Sequence, residues 1–344
     1  MTAEFLTRQP AADPTEIYRY RDGLHAVDLL AAALVEFDLF SRLAKRAADL
    51  PTICRELGLQ ERALDVALTL FVADGFLRRE GEVIHVTELA REFLVRGSPW
   101  FVGPYYAALK DRPVAQDYVK VLRTGKPANW GSLRNEKEWV SAMEEESFAR
   151  NFTAAMDCRG VYLGRVLAEK LDCRGCTHLL DVAGGSGIYA CCLVARHSHL
   201  RATVLEKPPV DKVAARAIAE RGCADRVSVV AGDMFTDAWP TTADAHLLSN
   251  VLHDWDVPVV KQLLRSSFAA LPPGGLLVIH DAFLNADKSG PVAVARYSAL
   301  LMHATEGRCY SVAEMEAWLR EAGFGEVNYF PTAVDRGAMT ARKP

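Results

Sequence analysis

A glycine-rich turn after an apolar segment constrains this chain more than any other feature. Residues 179–190 read LLDVAGGSGIYA, in which a predicted strand ends at Asp181 and the run from Gly184 to Gly187 opens a helix. Glycine lets a backbone approach a ligand closely. The N-terminus of the following helix presents N–H groups and a positive dipole end. Alone, the turn fits NAD, other nucleotides, S-adenosylmethionine (SAM) or tight packing without a ligand.

Two further predicted strands end in carboxylates. Residues 202–205 lead to Glu206, which lies about 20 residues beyond the glycines, where a carboxylate is placed to bind two ribose hydroxyls. NAD and SAM both carry such a ribose. The next strand, at residues 227–231, is followed by Asp233, Met234 and Phe235. A carboxylate with two apolar neighbours suits an adenine, which needs a hydrogen-bond acceptor and an apolar surface.

The last two predicted strands of this series end in a histidine and an aspartate. Residues 245–251 precede His253, and residues 276–280, after the turn PPGG, precede Asp281. Ligands of open α/β sheets bind at the carboxyl ends of the strands. Polar residues therefore converge on one edge from five places, which favours an enzyme. His253 is a residue type that suits a general base. The alternative interpretation is that His253 has only a structural role and caps the strand end.

In this order, the motifs DVAGGSG, LE, GDMF, HDW, PPGG and EAGF resemble those of the small-molecule O-methyltransferase family. This family includes plant phenolic, hydroxyindole and bacterial polyketide-tailoring enzymes, and the resemblance covers nearly the whole chain. It implies an α/β class I SAM methyltransferase, with a Rossmann-like doubly wound sheet and an N-terminal, mostly helical winged-helix dimerisation domain. The implied activity is transfer of a methyl group from SAM to a hydroxyl of a small aromatic or polyketide-like metabolite.

The resemblance also implies roles for individual residues. SAM would be held by Asp181, Ala183, Gly184, Gly185, Gly187, Glu206, Asp233, Met234, Phe235 and Ser249. His253 would be the catalytic base, and Asp281 would orient it. The substrate would be lined by Phe152, Met156 and His303.

Three positions depart from the pattern of the family. Ala183 stands where many relatives have the first glycine, which adds one methyl group beside the cofactor. Ser249 occupies a position that is often lysine in plant members, so a cofactor contact is expected to be lost or replaced. Cys309 stands where plant members carry a second carboxylate that orients the histidine. Asp281 is therefore expected to act alone, with Glu306 as the alternative partner.

Two other functions stay open from the sequence. His253, Asp254 and His303 match the two-histidine, one-carboxylate set that binds non-haem iron. A related bacterial subgroup resembles metal-dependent C-methyltransferases of α-keto acids, and a cysteine at position 309 fits that interpretation too. The third possibility is a regulatory protein that binds SAM without methylating anything. Metal analysis separates the first two functions, and SAM turnover tests the third.

The N-terminal third predicts helices and one hairpin. Apolar residues recur at helical spacing from Leu24 to Leu43, a second helix starts near Pro51 and ends at Gly58, and a third spans residues 61–76. Two short strands around residues 80–82 complete a winged helix. A DNA-reading helix needs a basic face, but in the third helix Arg62 is the sole basic residue. The pattern therefore favours dimerisation over DNA binding.

Length and composition agree with this interpretation. The 344 residues suffice for two domains, and we predict a winged-helix-like dimerisation domain at 1–105, connecting helices at 106–170 and a SAM-binding domain at 171–344. An acidic segment around residues 136–146 predicts a solvated helix. The net charge of −4 gives no broad basic field for nucleic acid. The eight scattered cysteines, the absence of a signal-peptide pattern and the lack of a long apolar run predict a cytoplasmic protein that does not bind membranes. The apolar third helix and the resemblance predict that it is a homodimer.

Overall fold

The computed structural model describes residues 3–128 and 146–344. The chain divides into two compact units, and each is assembled from separated stretches of sequence. One comprises residues 16–132 and 284–311; the other comprises residues 1–15, 133–283 and 312–344. The division predicted at residues 105 and 170 stays a prediction. Most of the predicted acidic helix, residues 136–145, lies outside the described residues.

Helices dominate the unit built from residues 16–132 and 284–311. They are Thr15–Asp22, Ala26–Ala31, Leu39–Lys45, Leu50–Leu57, Glu61–Ala73, Glu88–Phe93, Gly103–Ala107, Pro113–Thr124 and Val292–Ala304. The apolar stretch from Leu24 to Leu43 does not form one helix. The α-helix Ala26–Ala31 is followed by a π-helix, Ala32–Glu36. Asp38 then adopts a left-handed φ of 47° before the helix Leu39–Lys45 begins.

A small antiparallel sheet accompanies these helices. Its strands are β1 (Ala48–Asp49), β2 (Leu77–Glu80) and β3 (Val83–Val86), in the order β1-β3-β2. The β2–β3 hairpin lies where the sequence predicts two short strands. Asp49 also starts the next helix, because its carboxylate accepts a hydrogen bond from the Thr52 amide at 2.9 Å. Gly58, with a φ of 65°, ends that helix.

The helix Glu61–Ala73 forms the centre of this unit. Its residues 63–71 are all buried, and it packs against Val292–Ala304. Arg62 is engaged inside the unit: its guanidinium donates to the carbonyl oxygens of Gly125 (2.6 Å), Thr305 (3.2 Å) and Gly307 (2.8 Å). The one basic side chain of this helix therefore joins segments that are distant in sequence.

We predict that Arg62→Met destabilises the protein by about 1.5–3 kcal/mol, because three carbonyl oxygens lose a charged donor. Thermal and urea unfolding would measure the loss. Arg55→Met is the matched control, since Arg55 is exposed and donates to the Thr52 hydroxyl on the same helix. Equal stability of the two variants would contradict this role for Arg62.

The second unit is an α/β structure. Its strands are β4 (His178–Val182), β5 (Arg201–Glu206), β6 (Val227–Ala231), β7 (Ala245–Ser249), β8 (Leu276–Asp281), β9 (Gly325–Pro331) and β10 (Gly337–Arg342). Its helices are Glu146–Lys170, Ile188–Arg196, Val210–Glu220, Val257–Ala270 and Val312–Glu321, with 3₁₀ turns at Ala3–Leu6 and Leu252–Asp254.

The seven strands form one sheet in the order β6-β5-β4-β7-β8-β10-β9. The first five are parallel, and β10 and β9 are antiparallel at one side. Strand order reverses between β4 and β7, because the chain moves outward through β5 and β6 and then returns. Such a reversal leaves a crevice at the carboxyl ends of the two central strands. The predicted doubly wound α/β fold is confirmed.

No helix within the described ranges is both long and apolar enough to cross a membrane.

Candidate active site

The glycine-rich turn lies at the carboxyl end of β4, beside the reversal point. Ala183, Gly185 and Gly187 adopt left-handed φ values of 52°, 59° and 71°. Ala183 accepts this conformation although it is not glycine, and its amide donates to Leu205 at 2.9 Å. Gly184 cannot be replaced without movement, since an added Cβ would lie 2.6 Å from the carboxyl carbon of Asp181.

Asp181 is the last polar group before this turn and is almost completely buried. Neither carboxylate oxygen has a hydrogen-bond partner within the described part of the chain. Burial raises the pKa of Asp181 to about 7, and the nearby Glu206 carboxylate adds a smaller rise. The Ala190 amide acts in the opposite direction, although its geometry falls short of a hydrogen bond. Buried polar atoms normally have partners, so the unsatisfied oxygens of Asp181 indicate a site for a hydrogen-bond-donating ligand.

Glu206 ends β5 and is held by two backbone amides. Its Oε2 accepts from the Gly185 amide of the turn, and its Oε1 accepts from the Lys207 amide, both at 2.9 Å. Burial raises the pKa of Glu206 to about 7, although these two hydrogen bonds act in the opposite direction. The turn thus fixes the orientation of the predicted ribose-binding carboxylate.

The segment after β6 supplies the predicted adenine contacts. Asp233 accepts a hydrogen bond from the Phe235 amide at 2.9 Å, and its second oxygen lies 3.2 Å from the Lys207 ammonium. The Met234 carbonyl accepts from Trp239 at 2.9 Å, and the Phe235 ring packs edge-on against Trp255. Lys207, which sequence reasoning overlooked, therefore shares one oxygen of Asp233.

His253 and Asp281 are brought together although 28 residues separate them. His253 lies in the 3₁₀ turn after β7, Asp281 ends the neighbouring strand β8, and both are buried. The distance between His253 Nδ1 and Asp281 Oδ1 is 2.5 Å. The Ala282 amide donates to the same oxygen at 2.8 Å. Burial opposes ionisation of Asp281, but His253 and these hydrogen bonds outweigh it and lower the pKa of the carboxyl.

A hydrogen-bonded chain beside His253 escaped sequence reasoning. Ser249, predicted to contact the cofactor, lies 3.0 Å from His280 Nδ1 and accepts from the Asn250 amide group at 3.1 Å. The same Asn250 amide group donates to the Tyr189 hydroxyl at 3.0 Å. Burial lowers the pKa of His280 to about 3, so the ring stays neutral. Tyr189 lies two residues after Gly187, the last residue of the glycine turn. Its closeness to the turn was the one sequence signal for a place near the site.

The predicted substrate residues lie in different parts of the chain. Met156 is half-buried on the helix Glu146–Lys170, where the Arg159 guanidinium lies 3.7 Å from its sulfur. The side chain of Phe152 lies outside the described part of the chain. His303 belongs to the other unit, where it packs against the rings of His25 and Tyr118.

Cys309, which replaces the second carboxylate, is also in that other unit. It is fully buried, and its amide donates to the Ser298 hydroxyl at 3.1 Å.

The geometry gives no support to the metal-dependent alternative. His253 Nε2 lies 3.6 Å from Asp254, whereas His303 lies 3.4 Å from Asp117 within its own unit. Among residues 3–128 and 146–344, no group of three or more histidine, cysteine, aspartate or glutamate side chains is arranged to hold a metal ion.

Comparison with known proteins establishes the class. Residues 119–325, more than half of the chain, match the O-methyltransferase domain. The chain belongs to this family of SAM-dependent O-methyltransferases, as its motifs and sheet indicate. SAM is accordingly its methyl donor.

Three relatives cover nearly the full chain. A 3-hydroxy-5-methyl-1-naphthoate 3-O-methyltransferase from Streptomyces sahachiroi is 34% identical, over 91% of this chain and 90% of that protein. The tetracenomycin polyketide synthesis 8-O-methyl transferase of Streptomyces glaucescens is 30% identical, over 90% of this chain and 91% of that protein. The crystal structure of an O-methyltransferase family 2 protein from Planctomyces limnophilus in complex with apigenin is 33% identical, with a TM-score of 0.90 and complete coverage of both chains.

The residues at the crevice fit the methyl donor. Asp181 offers two buried acceptor oxygens without hydrogen-bond partners among the described residues, and Glu206 is held beside the turn. An added Cβ at Gly185 would meet no atom within 4 Å, so the backbone there borders open space. The ribose hydroxyls and the amino group of SAM are donors, which is what such carboxylates require.

We predict that SAM binds more tightly as the pH rises from 6 to 7.5. Asp181 and Glu206, with pKa values of about 7, are largely protonated at pH 6 and must ionise to accept hydrogen bonds from SAM. Affinity should rise about eightfold for each group, with release of protons. In the protein without SAM, the free energy of unfolding should fall over the same pH range. A carboxyl whose pKa is raised in the folded state loses stability as the pH rises from its unfolded pKa through 7.

Calorimetry in two buffers of different ionisation enthalpy would count the released protons. Glu206→Gln should remove part of the pH dependence, and Glu206→Ala should weaken SAM binding by about 1.5–3 kcal/mol. Affinity that is independent of pH in the parent would disprove the prediction.

Proposed function

We propose that this chain methylates a phenolic hydroxyl on a planar, fused or linked aromatic metabolite, with His253 as the general base. The buried pair of His253 and Asp281 at the carboxyl edge of the sheet carries this proposal. The substrate class is supported by the relatives, whose names specify a hydroxynaphthoate, a polyketide and a complex with apigenin.

The cofactor residues proposed are those at the carboxyl ends of β4 to β7. They are Asp181, Ala183, Gly184, Gly185, Gly187, Glu206, Asp233, Met234, Phe235 and Ser249. The support for them is positional: the glycine turn, Glu206 and Phe235 lie at the carboxyl ends of the three neighbouring strands β4, β5 and β6, and Ser249 ends β7 on the other side of the reversal point.

In the proposed mechanism the protein removes a proton from the acceptor hydroxyl and aligns that hydroxyl with the methyl group of SAM. SAM, when bound, supplies a methyl group that its sulfonium already activates. Asp281 accepts the hydrogen bond from His253 Nδ1–H, which fixes the tautomer with its lone pair on Nε2. Nε2 then takes the proton of the acceptor hydroxyl, and the ionised Asp281 stabilises the imidazolium. The lowered pKa of Asp281 keeps that carboxylate charged throughout.

We predict that His253→Ala lowers kcat by about 10² to 10⁴, the usual contribution of a general base, while SAM affinity stays near the parental value. Asp281→Asn should cost less, since it loosens His253 without removing it. Labelled SAM, a panel of phenolic, polyketide and keto-acid acceptors and mass spectrometry of the products would measure this. A parental kcat in His253→Ala on the true substrate would refute the base assignment.

The same assay separates the proposal from metal-dependent C-methylation. Activity on phenolic acceptors that resists a chelator, with His303→Ala less damaging than His253→Ala, is the expected result. Loss of activity with chelator and methylation at carbon would refute O-methylation.

We also propose that the N-terminal helices and the hairpin β2–β3 form a winged helix that joins two copies of the chain, working in the cytoplasm. Large exposed apolar side chains support this. Eight of the eleven in the described residues lie between positions 16 and 132: Ile17, Tyr20, Leu24, Val27, Leu89, Phe93, Trp100 and Tyr105. Tyr20 is 91% exposed and Ile17 is 75% exposed. A monomer rarely leaves such a surface uncovered.

Light scattering should therefore give a homodimer at micromolar concentration. The double substitution Ile17→Glu and Tyr20→Glu should shift it toward monomer, because charges would be buried in the interface. Val230→Glu, at an exposed apolar position of the sheet edge β6, is the control and should leave the dimer intact. A monomeric parent would refute the proposal.

A further inference from the structure

A buried ion pair lies directly behind the glycine-rich turn, and the catalytic and cofactor roles above leave it unused. Arg221 follows the helix Val210–Glu220, and Asp157 lies on the helix Glu146–Lys170. Their side chains form a salt bridge in which Arg221 is 6% exposed and Asp157 is 16% exposed. Burying two charges is costly unless both are well paired, so this arrangement requires an explanation.

Both members of the pair also bind Ser186, which lies between the two left-handed glycines of the turn. The guanidinium of Arg221 donates to the Ser186 carbonyl oxygen at 3.1 Å. The Ser186 hydroxyl donates to the same Asp157 oxygen that receives Arg221. Backbone and side chain of one turn residue are thus fixed by charged groups from two different helices.

The glycine-rich turn also fixes the orientation of the Glu206 carboxylate. The amide next to Ser186, that of Gly185, donates to Glu206 Oε2 at 2.9 Å. This N–H group belongs to the peptide between Gly184 and Gly185. A displacement of Ser186 passes through the peptide that joins it to Gly185 and therefore shifts the Gly185 N–H group. A continuous set of contacts runs from Arg221 and Asp157, through Ser186, to the carboxylate proposed to bind the ribose.

We propose that Arg221 and Asp157 are positioning residues for the methyl donor: they hold the turn in the conformation that binds SAM, without touching it. The inference rests on the proposed cofactor site. It explains why two charges are retained inside the protein where apolar side chains could fill the space. Its consequence is a selective effect on SAM, because His253 and Asp281 follow β7 and β8 and do not depend on these contacts.

Arg221→Met should weaken SAM binding about tenfold, as expected for loss of a charged hydrogen bond. The KM for SAM should rise, while kcat at saturating SAM and the KM for the acceptor stay near parental values. Calorimetry with SAM and steady-state kinetics would measure these quantities. Unchanged SAM affinity would overturn the inference.

Arg226→Met is the matched control. Arg226 is partly buried and donates to the carbonyl oxygens of Val194, His197 and Ser198, at the end of the helix Ile188–Arg196 away from the turn. It should lower the melting temperature but change SAM affinity by less than about twofold. An equal loss of affinity in both variants would show a general structural effect and overturn the inference.

The decisive variant replaces both charges, with Arg221→Met and Asp157→Leu together. Apolar replacement of a buried ion pair often restores stability, so the melting temperature should return toward the parent while SAM affinity stays weak. Recovery of parental affinity would overturn the inference. This variant carries the test if Arg221→Met alone does not fold.

Failure of the proposed site would be distinguishable. A parent that does not bind SAM, or whose affinity is unchanged by Glu206→Ala, refutes the site itself. A site that responds to Glu206→Ala but not to Arg221→Met refutes the positioning role alone.

Discussion

The reversal of strand order between β4 and β7 is the constraint on which the site depends. Because the chain leaves β4 toward β5 and returns to β7, the connections after these two strands diverge to opposite sides. The backbone at the two strand ends then borders a crevice. The glycine turn follows one of these ends and the 3₁₀ turn with His253 follows the other. The groups that we propose to bind the cofactor and to accept the proton therefore follow neighbouring strands, although about 70 residues separate them in sequence.

The electrostatics at this crevice divide the carboxylates into two kinds. Asp181 and Glu206 have raised pKa values because burial penalises their charge. Asp281, which is equally buried, has a lowered pKa because His253 and the Ala282 amide lie against it. The protein satisfies Asp281 internally and holds Glu206 with two backbone amides, whereas Asp181 has no hydrogen-bond partner among the described residues. We propose that Asp281 serves the neighbouring His253 and that Asp181 and Glu206 serve a ligand.

Much of the fold was predictable because strand ends carry their chemistry in the sequence. The glycine run and the polar residues after each apolar segment predicted an open α/β sheet with a site at one edge, and the family that the motifs resemble implied the doubly wound order and SAM. The sequence did not reveal what depends on contacts between distant segments. Asp157 and Arg221 lie 64 residues apart, and neither belongs to a motif. The break in the helical stretch at Asp38 was equally hidden, since apolar spacing there continues through the left-handed residue. The roles of individual site residues stay predictions.

The interleaving of the two units governs the order in which the chain can fold during synthesis. The helix Glu61–Ala73 packs against Val292–Ala304, and Arg62 reaches carbonyl groups at residues 305 and 307. The N-terminal helices therefore cannot complete their core until most of the chain has left the ribosome. Until then, an apolar helix surface stays exposed to water and to other chains. A fragment that ends before residue 284 would keep that exposure permanently, so the N-terminal helices are not an independent folding module.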